Sequence, residues 1–384
     1  MKKYLIFQFA CFGDCLIATA VAHQIRHDSP DCHITWAIAS KYKSILEGNP
    51  HVDSIMELDI DPKIATNEQF LELQQKLDRI ELTRDFDEIV HLQIFDRHLT
   101  DFYTTLRKTV FSIYGKPMTV DISPVVCLSE IEVRNVEIFA KRHRLDTYSS
   151  VILFECAPGS GQSRMTPDLA KEVATQLTRS RNDICIILSS PLDIKTTNPR
   201  IINGSSISFR ENLALAKHCT LLVGCSSGIT WLCTAALAKR IPMIQLLENN
   251  SPIFAGVNFD FEINGLDNSH IIEMTDFTEN DVVCCITHVV NHGITASRSI
   301  YNQDCRPNHY NLTLNLRRLV WQKYPLNAIY SYARNFVSEN RRFGNDLNIG
   351  ILTIMIDICN AYFQKARSQL KGCINRLKSV SLIE

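Results

Sequence analysis

The sequence predicts an α/β protein built from two successive doubly wound units and a helical extension. Three observations carry that prediction. Short apolar strands alternate with amphipathic helices from residue 4 onward, the alternation restarts near residue 150, and strand patterning fades after about residue 296. The expected units are 1–147, 148–296 and 297–384. At 384 residues the chain is long enough for two or three domains with cores of their own.

The elements follow in order. Tyr4–Phe9 is a buried strand, and Leu16, Ile17, Ala20, Val21 and Ile25 give Cys15–Asp28 a helical period, closed by Ser29-Pro30-Asp31. His33–Ile38 is a second strand, a helix runs through Lys43–Leu46 to Gly48-Asn49-Pro50, and Ser54–Leu58 is a third strand. Strand, helix, strand at this spacing predicts a parallel sheet with right-handed crossovers. Asn67–Leu82 reads as a helix, Glu88–Leu92 as a strand, Thr104–Tyr114 and Ser129–Arg144 as helices, and Leu145–Tyr148 as a linker. The second unit repeats the scheme with strands Ser150–Phe154, Asp183–Ser189, Leu221–Val223 and Pro242–Leu246. Its expected helices are Pro167–Thr178, Arg210–Lys217 and Ser227–Lys239. Such units bind ligands at the carboxyl ends of their strands, and a cleft between two of them is a natural small-molecule site.

Composition narrows the function. A hydrophobic content of 45% with 21% charged residues excludes disorder. The net charge of −1 excludes a global polyanion binder, and no nucleic-acid partner is expected. That neutrality is a cancellation. Residues 297–384 hold 13 Lys or Arg against 5 Asp or Glu, a net of +8, which leaves −9 on residues 1–296. Arg317, Arg318, Lys323, Arg341 and Arg342 lie among Trp321, Tyr324, Tyr330, Tyr332 and Phe336. Two readings stand: a helical extension packed across both units, or peripheral contact with an anionic membrane. The 14 cysteines include no Cys-x-x-Cys and read as free thiols in a reducing compartment. The apolar run after Lys2-Lys3 is broken by Gln8, Gly13 and Asp14, unlike a signal peptide, and Ile349–Cys359 contains Asp357 and is too short to span a bilayer. The chain reads as soluble and cytoplasmic.

Three segments have the makings of sites. Gly13-Asp14 lies between the first strand and first helix, where glycine permits close approach and a first-turn carboxylate is stabilised. Asp14 there is either a helix cap or a base facing a cleft. Gly159-Ser160-Gly161-Gln162-Ser163-Arg164 lies between a strand and a helix, offering backbone N–H groups and a guanidinium to an anion, or serving only as a loop. It matches neither a Walker A nor a dinucleotide fingerprint. Gly224-Cys225-Ser226-Ser227-Gly228-Ile229-Thr230-Trp231 ends a strand and opens a helix whose first N–H groups, at Ser227, Gly228 and Ile229, are expected to be free for a diphosphate. Its Gly-x-Ser-x-Gly spacing also fits a nucleophile elbow with Ser226 as nucleophile, without a convincing Asp and His to follow.

In this order the segments resemble the heptosyltransferase family, glycosyltransferase family 9. The likeness is carried by residues 4–55, with Phe12-Gly13-Asp14 and the phrase LEGNPHVDSI, and by LALAKHCTLLVGCSSGITWLCTAALAKRIPMIQL at 213–246. The resemblance implies the glycosyltransferase-B fold, with two Rossmann-like domains facing a cleft. It places the acceptor on the first domain, near Phe12 and Gly13, and the donor on the second. Asp14 becomes the general base of an inverting transfer, and Gly159, Ser160, Arg164, Ser226, Ser227, Gly228 and Thr230 become donor-side residues. No metal or cofactor is implied. The substrate is an ADP-heptose-like nucleotide-diphosphate sugar, and the acceptor a surface glycan of lipopolysaccharide type, a lipid-linked molecule or a protein.

The sequence departs from the family at three places. Ser226-Ser227-Gly228 replaces its Asp-Ser/Thr-Gly, Ile229-Thr230-Trp231-Leu232 lacks its histidine, and Thr166-Pro167 replaces its Trp-Pro. The Ser-Ser-Gly-x-Thr-Trp form is closer to the branch that attaches heptose to autotransporter proteins, whose iron-binding cysteine cluster has no clear counterpart here. A non-catalytic nucleotide-sugar-binding protein of the same fold therefore stays open beside the transferase.

Overall fold

A computed structural model of the chain describes all residues except 63, 66, 95–97, 160, 252, 253, 255, 346, 348 and 381–384. Its first sheet has four parallel strands, β1 (Lys3–Phe7), β2 (His33–Ala39), β3 (Ser54–Leu58) and β4 (Glu88–His91), in the order β3-β2-β1-β4. Ile6 is in register with Trp36 on one side and Val90 on the other. Between the strands run α1 (Phe12–Asp28), a 3₁₀ helix at Ser40–Leu46 and α2 (Asn67–Thr83), and after β4 come α3 (Leu106–Tyr114) and α4 (Glu130–Arg142). Ser129 and Glu132 close a capping box on α4.

The second sheet has six parallel strands, β5 (Ser150–Glu155), β6 (Ile184–Ser189), β7 (Ile201–Asn203), β8 (Leu221–Gly224), β9 (Met243–Leu247) and β10 (Ile271–Thr275). Their order is β10-β9-β8-β5-β6-β7. All six residues of β5 and of β6 are buried, as expected for strands covered on both faces. The helices are α5 (Pro167–Ser180), α6 (Glu211–Leu215), α7 (Gly228–Leu232) and α8 (Val257–Ile263). Strand order reverses between β1 and β4 in the first sheet and between β5 and β8 in the second. A ligand crevice opens at such a reversal, outside the carboxyl ends of the strands.

Two corrections to the sequence reading concern these elements. The helix expected from Ser227 to Lys239 is only α7: the N–H groups of Thr234 and Ala235 turn to the carbonyls three residues back, and that of Ala236 donates to the Pro124 carbonyl of the first unit at 3.0 Å. The strands β7 and β10 went unforeseen, β7 because it is only three residues long and β10 because Glu273 interrupts its apolar run, yet that side chain is fully buried.

Beyond the second sheet, α9 (Glu279–Tyr301) breaks at Gly293, φ 81°, and runs past residue 296, so the boundary expected there falls inside it. Helices α10 (His309–Trp321), α11 (Leu326–Arg342) and α12 (Ile351–Val380) complete the extension. Leu312, Leu316, Ile329, Tyr332 and Phe336 form its core with Leu99 of the first unit. Tyr332 donates to the Phe102 carbonyl at 2.9 Å, Asn311 to the Ser251 carbonyl at 3.1 Å, and Arg306 to Glu262 at 2.9 Å. The extension therefore packs across both units. Tyr332 and Phe336, expected among a basic and aromatic face, are core side chains instead. The thirteen cysteines from Cys11 to Cys359 are free thiols, and among the described residues no helix is long and apolar enough to cross a membrane.

Candidate functional site

At the carboxyl end of β1, a polar clamp sets the path of the chain into α1. Gln93, just after β4, accepts from the Gln8 amide at 2.9 Å and from the N–H groups of Phe9 and Ala10 at 3.3 and 3.1 Å. Trp36 donates to the Gln8 carbonyl at 2.8 Å. The chain then passes Cys11, held at φ 67°, and enters α1 at Phe12. Asp14 sits in the first helical turn, half-buried. Lost hydration pushes its carboxyl up to about 7, and among the described residues no cation is paired with it. A carboxylate with that affinity is poised to exchange a proton near neutrality.

At the corresponding place in the second unit, the end of β5 meets the turn after β8. Glu155, the last residue of β5, is 3% exposed. Its carboxylate accepts from the Cys225 N–H at 2.9 Å and the Ile229 N–H at 3.0 Å. The Thr230 hydroxyl lies 2.9 Å away, and the Ser227 hydroxyl bonds to it as well. Burial raises the Glu155 carboxyl above its ordinary value. The N–H of Ile229, expected free for a ligand, is thus taken by an anion of the chain itself. Gln245 accepts the Ser226 N–H at 2.9 Å and lies 3.1 Å from the Thr230 hydroxyl. Thr230 is fully buried. Ser226 holds φ 47°, but its hydroxyl is buried and has no hydrogen-bond partner, so nothing is placed to activate it as a nucleophile.

The other donor-side candidates lie around this turn. Ser163 reaches the Cys225 sulfur. Arg164 stands 3.7 Å from Glu248 and 4.7 Å over the Phe277 ring, with half of its side chain exposed. Gly159 lies at the start of that loop, and Ser160 falls outside the described residues. Beside Glu248, a small pocket at the carboxyl ends of β9 and β10 is lined by Ser251, Phe254, Thr275, Arg306 and Asn311.

Where the two units face each other, aromatic rings fill the line of contact. A Cβ on Gly13 would lie 2.9 Å from Trp231 Cδ1, and one on Gly228 would lie 2.8 Å from Phe209 and 3.0 Å from Phe12. Phe12 stacks on Phe209 with centroids 4.1 Å apart. Behind Trp231, the Arg107 guanidinium lies 5.6 Å from its ring and pairs with Asp260 at 2.8 Å, both side chains buried. Thr105 donates to the same carboxylate at 2.6 Å. Arg210 reaches from α6's amino end to Glu132 at 2.6 Å and to the carbonyls of Ser44 and Glu47. The structure therefore brings Phe12, Gly13 and Gly228 together, with Asp14 adjoining and Trp231 between the units. The expected open cleft is closed at this point by three rings.

Sequence reasoning missed Gln8, Gln93, Arg107, Glu155, Phe209, Arg210 and Asp260. Glu155 carried a signal, since a charged residue ending an otherwise apolar strand needs a partner when buried.

No family model and no curated protein matches the sequence. Solved structures do. A glycosyl transferase family 9 structure from Veillonella parvula is 16% identical, with 77% of this chain and 93% of that one covered at a TM-score of 0.50. The ADP-heptose LPS heptosyltransferase II of E. coli is 15% identical, with 76% of this chain and 99% of that one covered at a TM-score of 0.52. The chain has the fold of these glycosyltransferases, two Rossmann-like units joined by a helical carboxyl-terminal region.

Proposed function

We propose that the chain is an inverting glycosyltransferase of the family 9 kind, moving a heptose-like sugar from a nucleotide-diphosphate carrier to a hydroxyl of a surface glycan, lipid-linked molecule or protein. The observation that carries this reading is Asp14. It ends the first strand's turn at the line where the two units meet, and desolvation sets its proton affinity near neutrality. In the reaction, Asp14 takes the proton of the acceptor hydroxyl, the oxygen bonds to the anomeric carbon from one face, and the diphosphate departs from the other. Arg164 and the Ser227-Gly228 turn are the groups assigned to the charge that develops on the leaving diphosphate. The small pocket beside Glu248 marks the strand ends, where folds of this kind take a ligand. Neither metal nor cofactor has a part in this scheme. The E. coli relative is an ADP-heptose transferase, which makes ADP-heptose the first donor to try.

One observation favours a second reading, a nucleotide-sugar-binding protein without transferase activity. Glu155 already occupies N–H groups that a diphosphate would use, and Phe12, Phe209 and Trp231 fill the space between the turns. Incubation with ADP-, GDP- and UDP-sugars, followed by mass spectrometry for released nucleotide, separates the two. Transfer or hydrolysis that Asp14→Asn abolishes, with donor binding retained, supports the transferase. Binding by the wild type with no release supports the second reading, and full turnover by Asp14→Asn overturns the assignment of the base.

A further inference from the structure

Over its described side chains, between residues 352 and 369, helix α12 has two apolar faces, and only one of them is covered. Ile354, Ile358 and Ala361 are buried in the extension's core. On the same face Asp357 bonds to His309 at 2.5 Å, and Lys365 donates to the Val320 carbonyl at 2.7 Å. The opposite face is open: Leu352 is 74% exposed, Ile356 50% and Phe363 67%, with Met355, Cys359 and Tyr362 exposed among them. At 100° per residue, positions 352, 356, 359 and 363 fall on one stripe, set against the buried stripe of 354, 358 and 361. A continuous apolar stripe of this kind on a protein surface marks an interaction face.

Charge identifies what the stripe meets. Arg367 and Lys371 are exposed on the helix that carries it. The only acidic residue of α12 is Asp357, which lies on the covered face and is engaged by His309. The sequence adds Arg376 and Lys378 with no acid before Glu384. Trp321, at the end of α10, is 48% exposed. Residues 297–384 carry +8 while residues 1–296 carry −9, so an anionic surface attracts the extension and repels the rest of the chain. A second copy of α12 would instead bring cation against cation.

We propose that the open face of α12 lies on an anionic lipid bilayer, with Leu352, Ile356 and Phe363 inserted at the acyl boundary and Arg367 and Lys371 among the headgroups. This inference stands apart from the proposed transferase activity and holds whichever reading of the site is right.

Co-sedimentation of the full chain with vesicles tests it. Vesicles of phosphatidylcholine with phosphatidylglycerol are expected to bind the protein about tenfold more than phosphatidylcholine alone, and added salt to weaken that binding. The double variants Ile356→Ser/Phe363→Ser and Arg367→Glu/Lys371→Glu are each expected to lower it about tenfold, with circular dichroism and melting temperature unchanged because the four side chains are exposed. Equal binding to both vesicle types, no binding to either, or variants that bind as the wild type does would overturn the proposal. So would a dimer in sedimentation velocity that the Ile356→Ser/Phe363→Ser pair abolishes, since the stripe would then be a seam between copies.

Discussion

The carboxylate of Glu155 lies 3.0 Å from the backbone N–H of Ile229, across the point where strand order reverses in the second sheet. A buried acid on a turn's free N–H groups does what a bound phosphate would do there. Cys225, Ser227, Ile229 and Thr230 all depend on it. Glu155→Ala strands those donors in a site closed to water. Each unmet buried donor costs about 1–3 kcal/mol, so the loss is expected to exceed about 3 kcal/mol in a urea titration. Glu155→Gln keeps an oxygen acceptor and is expected to lose less. A loss under about 1 kcal/mol for the alanine variant would mean that water reaches the turn after all.

Gly13 and Trp231 make a second pairing that crosses between the units. With Trp231 Cδ1 2.9 Å from where a Cβ would stand, Gly13→Ala forces the indole or α1 to move. Overpacking of this kind costs about 1–3 kcal/mol. Trp231→Leu removes the obstacle, so the double variant should lose less than the two single losses added together. Thermal melts of the four proteins check this. Strict additivity would show that the indole does not constrain residue 13.

The Arg107–Asp260 pair joins α3 to α8 with both side chains almost wholly buried. Removing one member leaves the other charge uncompensated, so Asp260→Ala is expected to cost about 3–5 kcal/mol. Thr105 also loses its acceptor in that variant. Replacing Arg107 and Asp260 together by Met and Leu is expected to cost less than Asp260→Ala alone, because no lone charge remains buried. Urea unfolding of the single and double variants decides between these outcomes.

How much of this was legible in the sequence depended on whether the signal was local. The four strands of the first sheet, four of the six strands of the second and the turn at Phe12-Gly13-Asp14 follow from period and glycine placement, which neighbours in sequence determine. What was hidden was set by distant partners. Glu155 lies 70 residues from Cys225, Gln8 lies 85 from Gln93, and Arg107 lies 153 from Asp260. β10 was masked by Glu273, whose carboxylate accepts from the Asn258 N–H at 2.9 Å, a contact no pattern of residue types reveals. The closing of the space between units by Phe12, Phe209 and Trp231 was hidden for the same reason. Each is an ordinary aromatic in its own segment.

Asp14 and Glu273 share one consequence for pH. Both are pushed up to about 7 by burial in the folded chain, whereas an unfolded chain releases these protons near 4. Between those values the folded state holds protons that the unfolded state has lost. The stabilisation is complete below about pH 4 and declines as pH rises through the window to about 7, above which it is gone. Asp183 acts in the opposite direction. Arg181 and Ser149 hold its carboxyl well below the usual range, so its contribution is full above about pH 4 and is lost as pH falls. Stability is therefore expected to peak near pH 4 and to fall toward pH 7, and Glu273→Gln should flatten the falling limb. Turnover on a working donor should run the other way, rising through about pH 7 as Asp14 becomes the ionised base. Urea midpoints and initial rates over the same pH series measure both trends. A rate profile flat from pH 5 to pH 8, beside the falling stability limb, would remove Asp14 from the role of base while leaving its burial intact.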